Sequence, residues 1–296
     1  MVVNAANASR RPRAAAMDET QIVGQSTGMG RVFRLLVLAV VLIFFLAPIF
    51  YLALVSLKPQ PEILSGQLLP SRIAWENWPN AFSTVKLSLF LRNSIVVAGL
   101  SAAVTMLIAT PATYAMVRYR TGGSWLRSAV LTSYVAPPIV AVIPLFYLLK
   151  WGQLIDTLPG LALVHALANL PVAIWLLDSF VREVPREIEE AAWVDGEGQI
   201  GTLLRIVLPL IVPGLVAVAI ICIILSYNEF LFALVLTYRP ETQTLPVGIA
   251  LFQGDRLVQF GQMAAASLTG MIPVYIVALF FQRGLIRVIR HLEDRL

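Results

Sequence analysis

Charged side chains are scarce in this sequence. Asp, Glu, Lys and Arg make up 13% of its 296 residues, whereas 58% of the residues are hydrophobic. A soluble domain usually carries about 25% charged residues, so a soluble chain of this length would lack the charge to cover its surface. The composition therefore excludes an ordinary soluble domain and predicts an integral membrane protein embedded in a lipid bilayer.

The sequence is equally poor in cysteine and in motifs for metal or phosphate binding. Its one cysteine, Cys222, lies in an apolar run, which excludes an internal disulfide and predicts a buried thiol. No His, Cys or carboxylate cluster has metal-ligand spacing, and no Walker-type loop is present, so we expect no cofactor and no ATP hydrolysis in this chain. The net charge is +5, yet the basic residues form no stripe with interleaved aromatics, which argues against nucleic-acid binding.

Long apolar runs dominate what is there, and none alternates as a membrane barrel strand would. A helix that crosses the hydrocarbon core needs about 20 apolar residues. We therefore predict an all-α protein with six transmembrane helices between residues 31 and 290, after a flexible segment 1–30 and before a tail 291–296. The six runs are 35–57, 93–117, 128–149, 160–181, 210–236 and 262–282.

The distribution of Lys and Arg predicts the orientation. If both termini lie in the cytoplasm, most of the 22 basic residues fall in cytoplasmic segments, as the positive-inside rule requires. Each run also contains proline, and the third contains Pro137, Pro138 and Pro144. Two interpretations stay open: proline is common in membrane helices, or the third span bends around a pathway.

The segment 185–209, between the fourth and fifth runs, carries the most specific pattern. Pro185 suits a helix start, acidic residues crowd the following turn, and Gly196 suits the position after the helix end. These signals predict a short helix over residues 186–195 outside the membrane. A second amphipathic stretch follows and leads into the fifth span. Its apolar residues are Ile200, Leu203, Leu204 and Val207.

This loop resembles the EAA loop of ABC-importer permeases. The matching residues are Glu190, Ala191, Ala192, Asp195, Gly196, Ile206, Val207, Leu208 and Pro209. The resemblance implies the type I ABC importer permease fold, in which this cytoplasmic coupling helix docks in a groove of a separate ATP-binding subunit. ATP and Mg would then be bound by that partner, and Ala191 and Ala192 would let the helix sit deep in its groove.

Shorter motifs resemble the smaller of the two maltose-type permeases. They are Ser56-Leu57-Lys58-Pro59, Asn93-Ser94 and Ser226-Tyr227-Asn228-Glu229-Phe230. The resemblance implies a bacterial inner-membrane importer of sugar, a homologous sister permease, two ATP-binding subunits and an extracytoplasmic solute-binding protein. A polyol or a glycerol phosphate remains open as the solute. The outer segment 58–92, with Trp75 and Trp78, would either anchor at the membrane interface or contact the binding protein.

Polar residues within the spans suggest a pathway. A carboxylate within the membrane is energetically costly, so Glu229 would face an aqueous cavity or a partner. Its neighbours Asn228 and Tyr227 would then line the same solute pathway. The alternative is bonding across the interface with the sister permease. An intramembrane enzyme would need a second polar group opposite Glu229, for which we find no candidate. An independent channel would leave the loop 185–209 without a role.

Two further polar groupings are expected to be structural. Asp178 precedes Arg182 by four residues and should form an ion pair with it on one helix face. His165 and Asn169 share a face of the fourth span, and we expect them to bond to a neighbouring helix.

Overall fold

The computed structural model describes residues 28–252 and 258–293, with side chains for 32–252 and 258–279. Every multi-residue regular element in this part of the chain is a helix, which confirms the predicted all-α class. The helices are α1 Gly28–Ser56, α2 Gln60–Leu64, α3 Asn77–Thr84, α4 Leu87–Arg118, α5 Gly123–Val135, α6 Pro138–Trp151, α7 Leu158–Glu183, α8 Arg186–Val194, α9 Gln199–Gly201, a π-helical segment Thr202–Val207, α10 Leu208–Tyr227, α11 Leu231–Leu236, α12 Leu245–Ala250 and α13 Phe260–Glu293.

The chain separates into two units, Met1–Phe50 and Tyr51–Leu296. The described part of the first unit is the greater part of α1, an apolar helix that contains Pro48. The predicted flexible segment falls mostly on residues 1–27, outside the described residues. The predicted tail begins within α13, which runs to Glu293. The second unit holds all other helices and the sites described below.

Five helices in the described residues are long and apolar enough to cross a membrane. A sixth span is obtained only when α5 and α6 are counted together, although their axes differ by 101°. The break follows from Pro137 and Pro138, since a residue before proline is disfavoured in helical geometry, and Ala136 is extended with φ −64° and ψ 134°. The third predicted run, 128–149, is therefore a bent pair rather than a straight rod.

The fifth predicted run, 210–236, is wrong at its end. The helix stops at Tyr227, and α11 begins at Leu231 as a separate six-residue helix. Hydropathy alone does not detect this break, because the residues after it are as apolar as those before it. The polar pair Asn228–Glu229 marks the place where the helix ends.

Helices α4, α7 and α10 form the centre of the second unit through small side chains. Ala102, Ala109 and Ala173 are fully or almost fully buried in one cluster with Cys222, which confirms the predicted burial of the thiol. Thr105 donates to the Ser101 carbonyl at 2.8 Å within α4 and lies 3.3 Å from the Ala166 carbonyl of α7. Such residues allow close approach of helix backbones in a membrane bundle.

At the end of this bundle away from α8, polar side chains of α4 hydrogen-bond to the loop between α11 and α12. Asn93 donates to the carbonyls of Glu241 and Gln243 at 3.0 and 2.9 Å, and Ser94 accepts the N–H of Leu245 at 2.8 Å. Two motif residues that open the second span thus hold the segment before α12. We call this end of the unit the far end and the other the α8 end.

Candidate functional site: the α8 loop and the cavity beside α10

Helix α8 occupies nearly the predicted range. Pro185 precedes it in extended geometry, with φ −60° and ψ 136°, and Arg186–Val194 are helical. Asp195 ends the helix, and Gly196 follows with φ +90°, a value that L side chains rarely adopt. The prediction of a short helix closed by glycine is confirmed.

One face of α8 is fixed to the bundle by a buried ion pair. Arg118, the last residue of α4, places its Nε 2.6 Å from Glu189 Oε1, and the two side chains are 7% and 1% exposed. Tyr114 donates its hydroxyl to Glu189 Oε2 at 2.8 Å. Arg118 also donates to the carbonyls of Val181 and Val184 at 2.8 and 2.6 Å. Helix α8 is therefore held against the ends of both α4 and α7.

The side of α8 away from Glu189 has no cover within the described residues. Glu190, Ala191 and Asp195 are exposed, and so is Val194 (88%). Trp193 follows Glu189 by four residues and lies at the edge of the anchored face, where it is 42% exposed. Aromatic residues are enriched at protein interfaces, so Trp193 with the neighbouring Val194 makes this part of α8 a candidate contact surface.

Ala192 lies on the buried face, which corrects one expectation. Its side chain is 5% exposed and packs toward the bundle of its own chain, not toward a partner groove. Only Ala191 of the alanine pair lies on the free face. The reason is helical geometry: Ala192 follows Glu189 by three residues, so both project from the same side.

The rest of the motif continues into the bundle without a break. Residues Gln199–Tyr227 form one helix of 29 residues, with the π-helical segment near its start. Ile206 and Leu208 are half-buried there, and Pro209 is exposed. Arg205 Nη1 pairs with Glu197 at 2.5 Å and closes the turn after α8. The helix that begins after this turn therefore runs without interruption from the α8 end to the end of α10.

The second polar site is the break between α10 and α11. Glu229 accepts the N–H groups of Phe232 at 2.9 Å and Ala233 at 3.2 Å, so its carboxylate caps α11. His165 Nε2 lies 3.0 Å from the same carboxylate, and His165 Nδ1 lies 2.7 Å from Ser226 Oγ. The sequence shows no partner for Glu229, and the structure supplies one in His165.

The predicted contact of α7 with a neighbouring helix is formed. His165 bonds to Ser226, and Asn169 donates to the Cys222 carbonyl at 3.3 Å, so both residues bond to α10. The predicted i,i+4 ion pair is also formed, with Arg182 Nε 2.5 Å from Asp178 Oδ2.

A cavity of about 600 Å³ lies beside the break, between α10, α12 and α13. Tyr227, Asn228, Phe230 and Tyr275 are among its lining residues, and Glu229 is not. The Tyr227 hydroxyl donates to the Gly270 carbonyl at 2.9 Å, which ties α10 to α13. Of the three pathway candidates, Tyr227 and Asn228 therefore line the cavity. Glu229 does not line it and instead caps the start of α11.

The sequence does not reveal the roles of Arg118, Glu189 and His165. In the sequence, Arg118 is one of many basic residues that set orientation, and Glu189 is one of several carboxylates at a helix start. The sequence does contain a signal for Glu189. Only Val184 and Pro185 separate α8 from α7, so one face of α8 must pack against the bundle. Glu189 and Ala192 share a face of α8, and this face is the buried one. No comparable local signal links His165 to Glu229, which is 64 positions later in the chain.

The long apolar helices of this bundle are those of a membrane-spanning protein, and one loop helix is anchored at its end. The model of the family described as "Binding-protein-dependent transport system inner membrane component" matches residues 95–291. The chain belongs to this family, the permeases of ABC transporters. It is a transport subunit rather than an enzyme.

Individual relatives agree with this assignment. The chain is 41% identical over 206 residues to the putative ABC transporter permease protein ORF1 of Streptomyces antibioticus, covering 69% of this chain and 90% of that protein. It is 33% identical to the sulfoquinovosyl glycerol transport system permease protein SmoH of Agrobacterium fabrum, covering 87% and 91%. It is 34% identical to the trehalose/maltose transport system permease protein MalG of Thermococcus litoralis, covering 81% and 88%.

A solved structure has the same fold. It is a bacterial ABC transporter involved in the import of the acidic polysaccharide alginate, with a TM-score of 0.70 and 20% identity, covering 88% of this chain and 98% of that chain. This likeness confirms the predicted type I ABC importer permease fold.

Proposed function

We propose that this chain is one permease subunit of an ATP-driven, binding-protein-dependent importer of a sugar or glycoside, and that α8 docks on a separate ATP-binding subunit. The observation that carries the proposal is the division of α8 into two faces. One face is anchored by the Glu189–Arg118 ion pair, and the other presents Glu190, Ala191 and Val194, with Trp193 half-exposed at its edge and no cover from the described residues.

The anchored face explains how a partner's movement would reach the spans. Closure of the ATP-binding subunits would push on α8. Because Glu189 is bonded to Arg118 and Tyr114, the push reaches α4 directly. The continuous helix from Gln199 to Tyr227 takes the same displacement to the cavity beside Asn228. The spans would then alternate between inward-facing and outward-facing arrangements.

The assembly we propose includes a homologous sister permease, two ATP-binding subunits that hold ATP and Mg, and an extracytoplasmic solute-binding protein. In a bacterial inner membrane, the α8 end and both termini would face the cytoplasm. Sugar as the solute is supported by the relatives named for sulfoquinovosyl glycerol and for trehalose and maltose. The Asn228 amide would meet sugar hydroxyls, and the aromatic rings of Phe230 and Tyr275 would meet ring faces.

Cross-linking tests the docking directly. The buried Cys222 is replaced by Ser, and a single cysteine is then placed at exposed Val194. In the assembled transporter we expect a bifunctional thiol reagent to join Val194→Cys to the ATP-binding subunit. The matched control is Ser83→Cys at the far end, which should give no such product. A product from the control but not from Val194→Cys would refute the assignment.

Coupling tests the role of the free face. In proteoliposomes we expect Glu190→Ala and Gly196→Arg to retain ATP hydrolysis while solute uptake falls about tenfold or more, because movement of the ATP-binding subunit would no longer reach the spans. Exposed Glu241 at the far end, replaced by Ala, serves as the control and should leave uptake unchanged. Normal coupled uptake in both α8 variants would contradict the proposal.

The solute class is tested with a panel. ATP hydrolysis by the assembled complex is measured with the binding protein and a disaccharide, a sulfonated glycoside, a polyol or a glycerol phosphate. Stimulation by a sugar or glycoside supports the proposed class. Stimulation only by the polyol or by the glycerol phosphate would replace it.

A further inference from the structure

A basic cleft lies at the α8 end, between the end of α4, the start of α5 and the end of α7. It consists of two adjoining cavities of about 320 and 230 Å³ that share Met116 and Arg127. The larger cavity is also lined by Arg120, Ser124 and Arg182. The mechanism proposed above uses none of these side chains.

The cleft has more positive than negative charge. Asp178 is bound by both Arg182 Nε at 2.5 Å and Arg127 Nη2 at 3.3 Å. One carboxylate thus serves two guanidinium groups. Arg120 makes no ion pair in the part of the chain that the structure describes, so its charge is uncompensated there. An anion would complete the set, because arginine binds oxyanions through its planar fork of N–H donors.

The backbone at the start of α5 adds donors to this charge. α5 is a 13-residue helix whose first turn is capped by no side chain. The chain enters it through Gly122 and Gly123, with φ +73° and +57°. A Cβ on Gly122 would stand 2.4 Å from the Leu126 side chain, so only glycine permits this approach. Uncapped N–H groups at a helix start attract phosphate oxygens.

A buried hydroxyl gives an independent indication of a ligand. Thr113 is 1% exposed, and its Oγ1 has no hydrogen-bond partner among the described residues. It lines the smaller cavity together with Arg127 and Asp178. A buried hydroxyl without a partner is costly, and an oxygen of a bound molecule would satisfy it.

The smaller cavity is otherwise apolar. Val130, Leu131 and Trp175 line it beside the basic groups. Charged groups therefore stand at one side of the cleft and hydrocarbon surface at the other. This arrangement suits an amphiphile with a phosphate at one end.

We propose that this cleft binds a phosphate group through Arg120, Arg127 and the start of α5. The phosphate has two possible sources, the headgroup of an anionic phospholipid and a free phosphate compound. The proposal goes beyond transport, and the binding test below does not depend on the importer function.

The test measures binding to the purified full-length chain by native mass spectrometry. Phosphatidylglycerol and phosphatidylcholine are titrated separately into the detergent micelle, and inorganic phosphate is added as a competitor. For the wild type we expect about tenfold tighter binding of one phosphatidylglycerol than of phosphatidylcholine, since arginine side chains attract a headgroup with a net negative charge. Arg120→Gln with Arg127→Gln should abolish this preference. Arg205→Gln, at the same end but outside the cleft, should retain it.

Each outcome is decisive. Preference for phosphatidylglycerol that millimolar inorganic phosphate does not relieve assigns the site to the lipid. Binding of inorganic phosphate that depends on Arg120 and Arg127, without a lipid preference, assigns it to a free phosphate compound. Equal binding of the two lipids with no phosphate binding by the wild type overturns the proposal, and so does an equal loss in Arg205→Gln. The wild-type comparison stands even if the double variant fails to fold.

Discussion

Two carboxylates, Glu189 within α8 and Glu229 at the break between α10 and α11, are held in different ways. Glu189 is 1% exposed and Glu229 20% exposed, and each meets a basic side chain of another helix, at 2.6 Å for Arg118 and 3.0 Å for His165. Arginine keeps its charge at every physiological pH, whereas histidine is charged only when protonated. Glu229 also accepts two backbone N–H groups, so it depends less on its partner.

The difference shows how each region is held. The α8 end relies on a permanent ion pair that is almost completely desolvated, and its loss would leave Arg118 buried without a counter-charge. The break after α10 relies on a cap whose donors belong to the backbone. We therefore expect the first region to be the more sensitive to mutation, although Glu189 itself belongs to a short loop helix.

The largest effect is expected for Glu189→Ala. Removal of one partner from a buried ion pair leaves the other uncompensated, at a cost of about 3–5 kcal/mol. The measurement is the unfolding free energy, or the thermal midpoint, of the purified chain in detergent. The double variant Glu189→Ala with Arg118→Met should recover part of the loss. A loss below about 1 kcal/mol in the single variant would show that the pair is not desolvated in solution.

A smaller loss is expected for Glu229→Ala. The N–H groups of Phe232 and Ala233 lose their acceptor and His165 loses its partner, for a cost of about 2 kcal/mol. Thermal unfolding is again the measurement, and Asn228→Ala at the exposed neighbouring position is the control. If Glu229→Ala proved more damaging than Glu189→Ala, the ranking of the two regions would be reversed.

A third carboxylate, Asp156 at the far end, extends the comparison to pH. Burial acts to raise its pKa, but hydrogen bonds from Thr242, the N–H of Tyr238 and Arg239 outweigh it and lower the pKa to about 2. A carboxyl with a depressed pKa stabilises the folded state above its ordinary pKa of 3.8, and this stabilisation is lost as the pH falls toward 2.

We therefore expect Asp156→Asn to be less stable than the wild type by about 1–2 kcal/mol at pH 7, because a charged acceptor is lost. The difference should disappear as the pH approaches 2. Thermal midpoints of both proteins between pH 7 and pH 2 test this, and parallel curves would contradict it.

The smallest effect on stability is expected for Glu190→Ala. This residue adjoins Glu189 but is exposed, so the unfolding free energy should change by less than about 0.5 kcal/mol. The comparison with Glu189→Ala, one position earlier on the same helix, isolates burial as the cause. A loss of more than about 2 kcal/mol would mean that α8 packs by its other face.

Local signals in the sequence are sufficient to predict that α8 forms and where it ends. They are insufficient to predict which residues of the bundle it contacts. Pro185 and Gly196 bound the helix because they act through backbone geometry alone. The burial of Ala192 and Glu189 depends on Arg118 and Tyr114, which lie about 70 positions earlier. No sequence pattern around Arg118 or Tyr114 indicates that they bond to Glu189. A resemblance fixes which residues recur in a family, but it does not say which face of the helix each one occupies.

The same limit applies to the fifth span. Its hydropathy continues past Tyr227, and only the capping of α11 by Glu229 explains why the helix ends there. The break between α5 and α6 is easier to predict from the sequence, since Pro137 and Pro138 restrict the backbone directly. The angle between the two helices depends on tertiary packing, so the prolines alone do not predict it.

The unbroken helix from Gln199 to Tyr227 has a mechanical consequence. Its 29 residues span about 43 Å at a rise of about 1.5 Å per residue. A rigid rod of that length that pivots at one end by about 5° carries its other end about 4 Å sideways, more than the diameter of a water molecule. In the coupling that we propose, a small rotation imposed beside α8 would thus be magnified at Asn228, on the wall of the cavity of about 600 Å³.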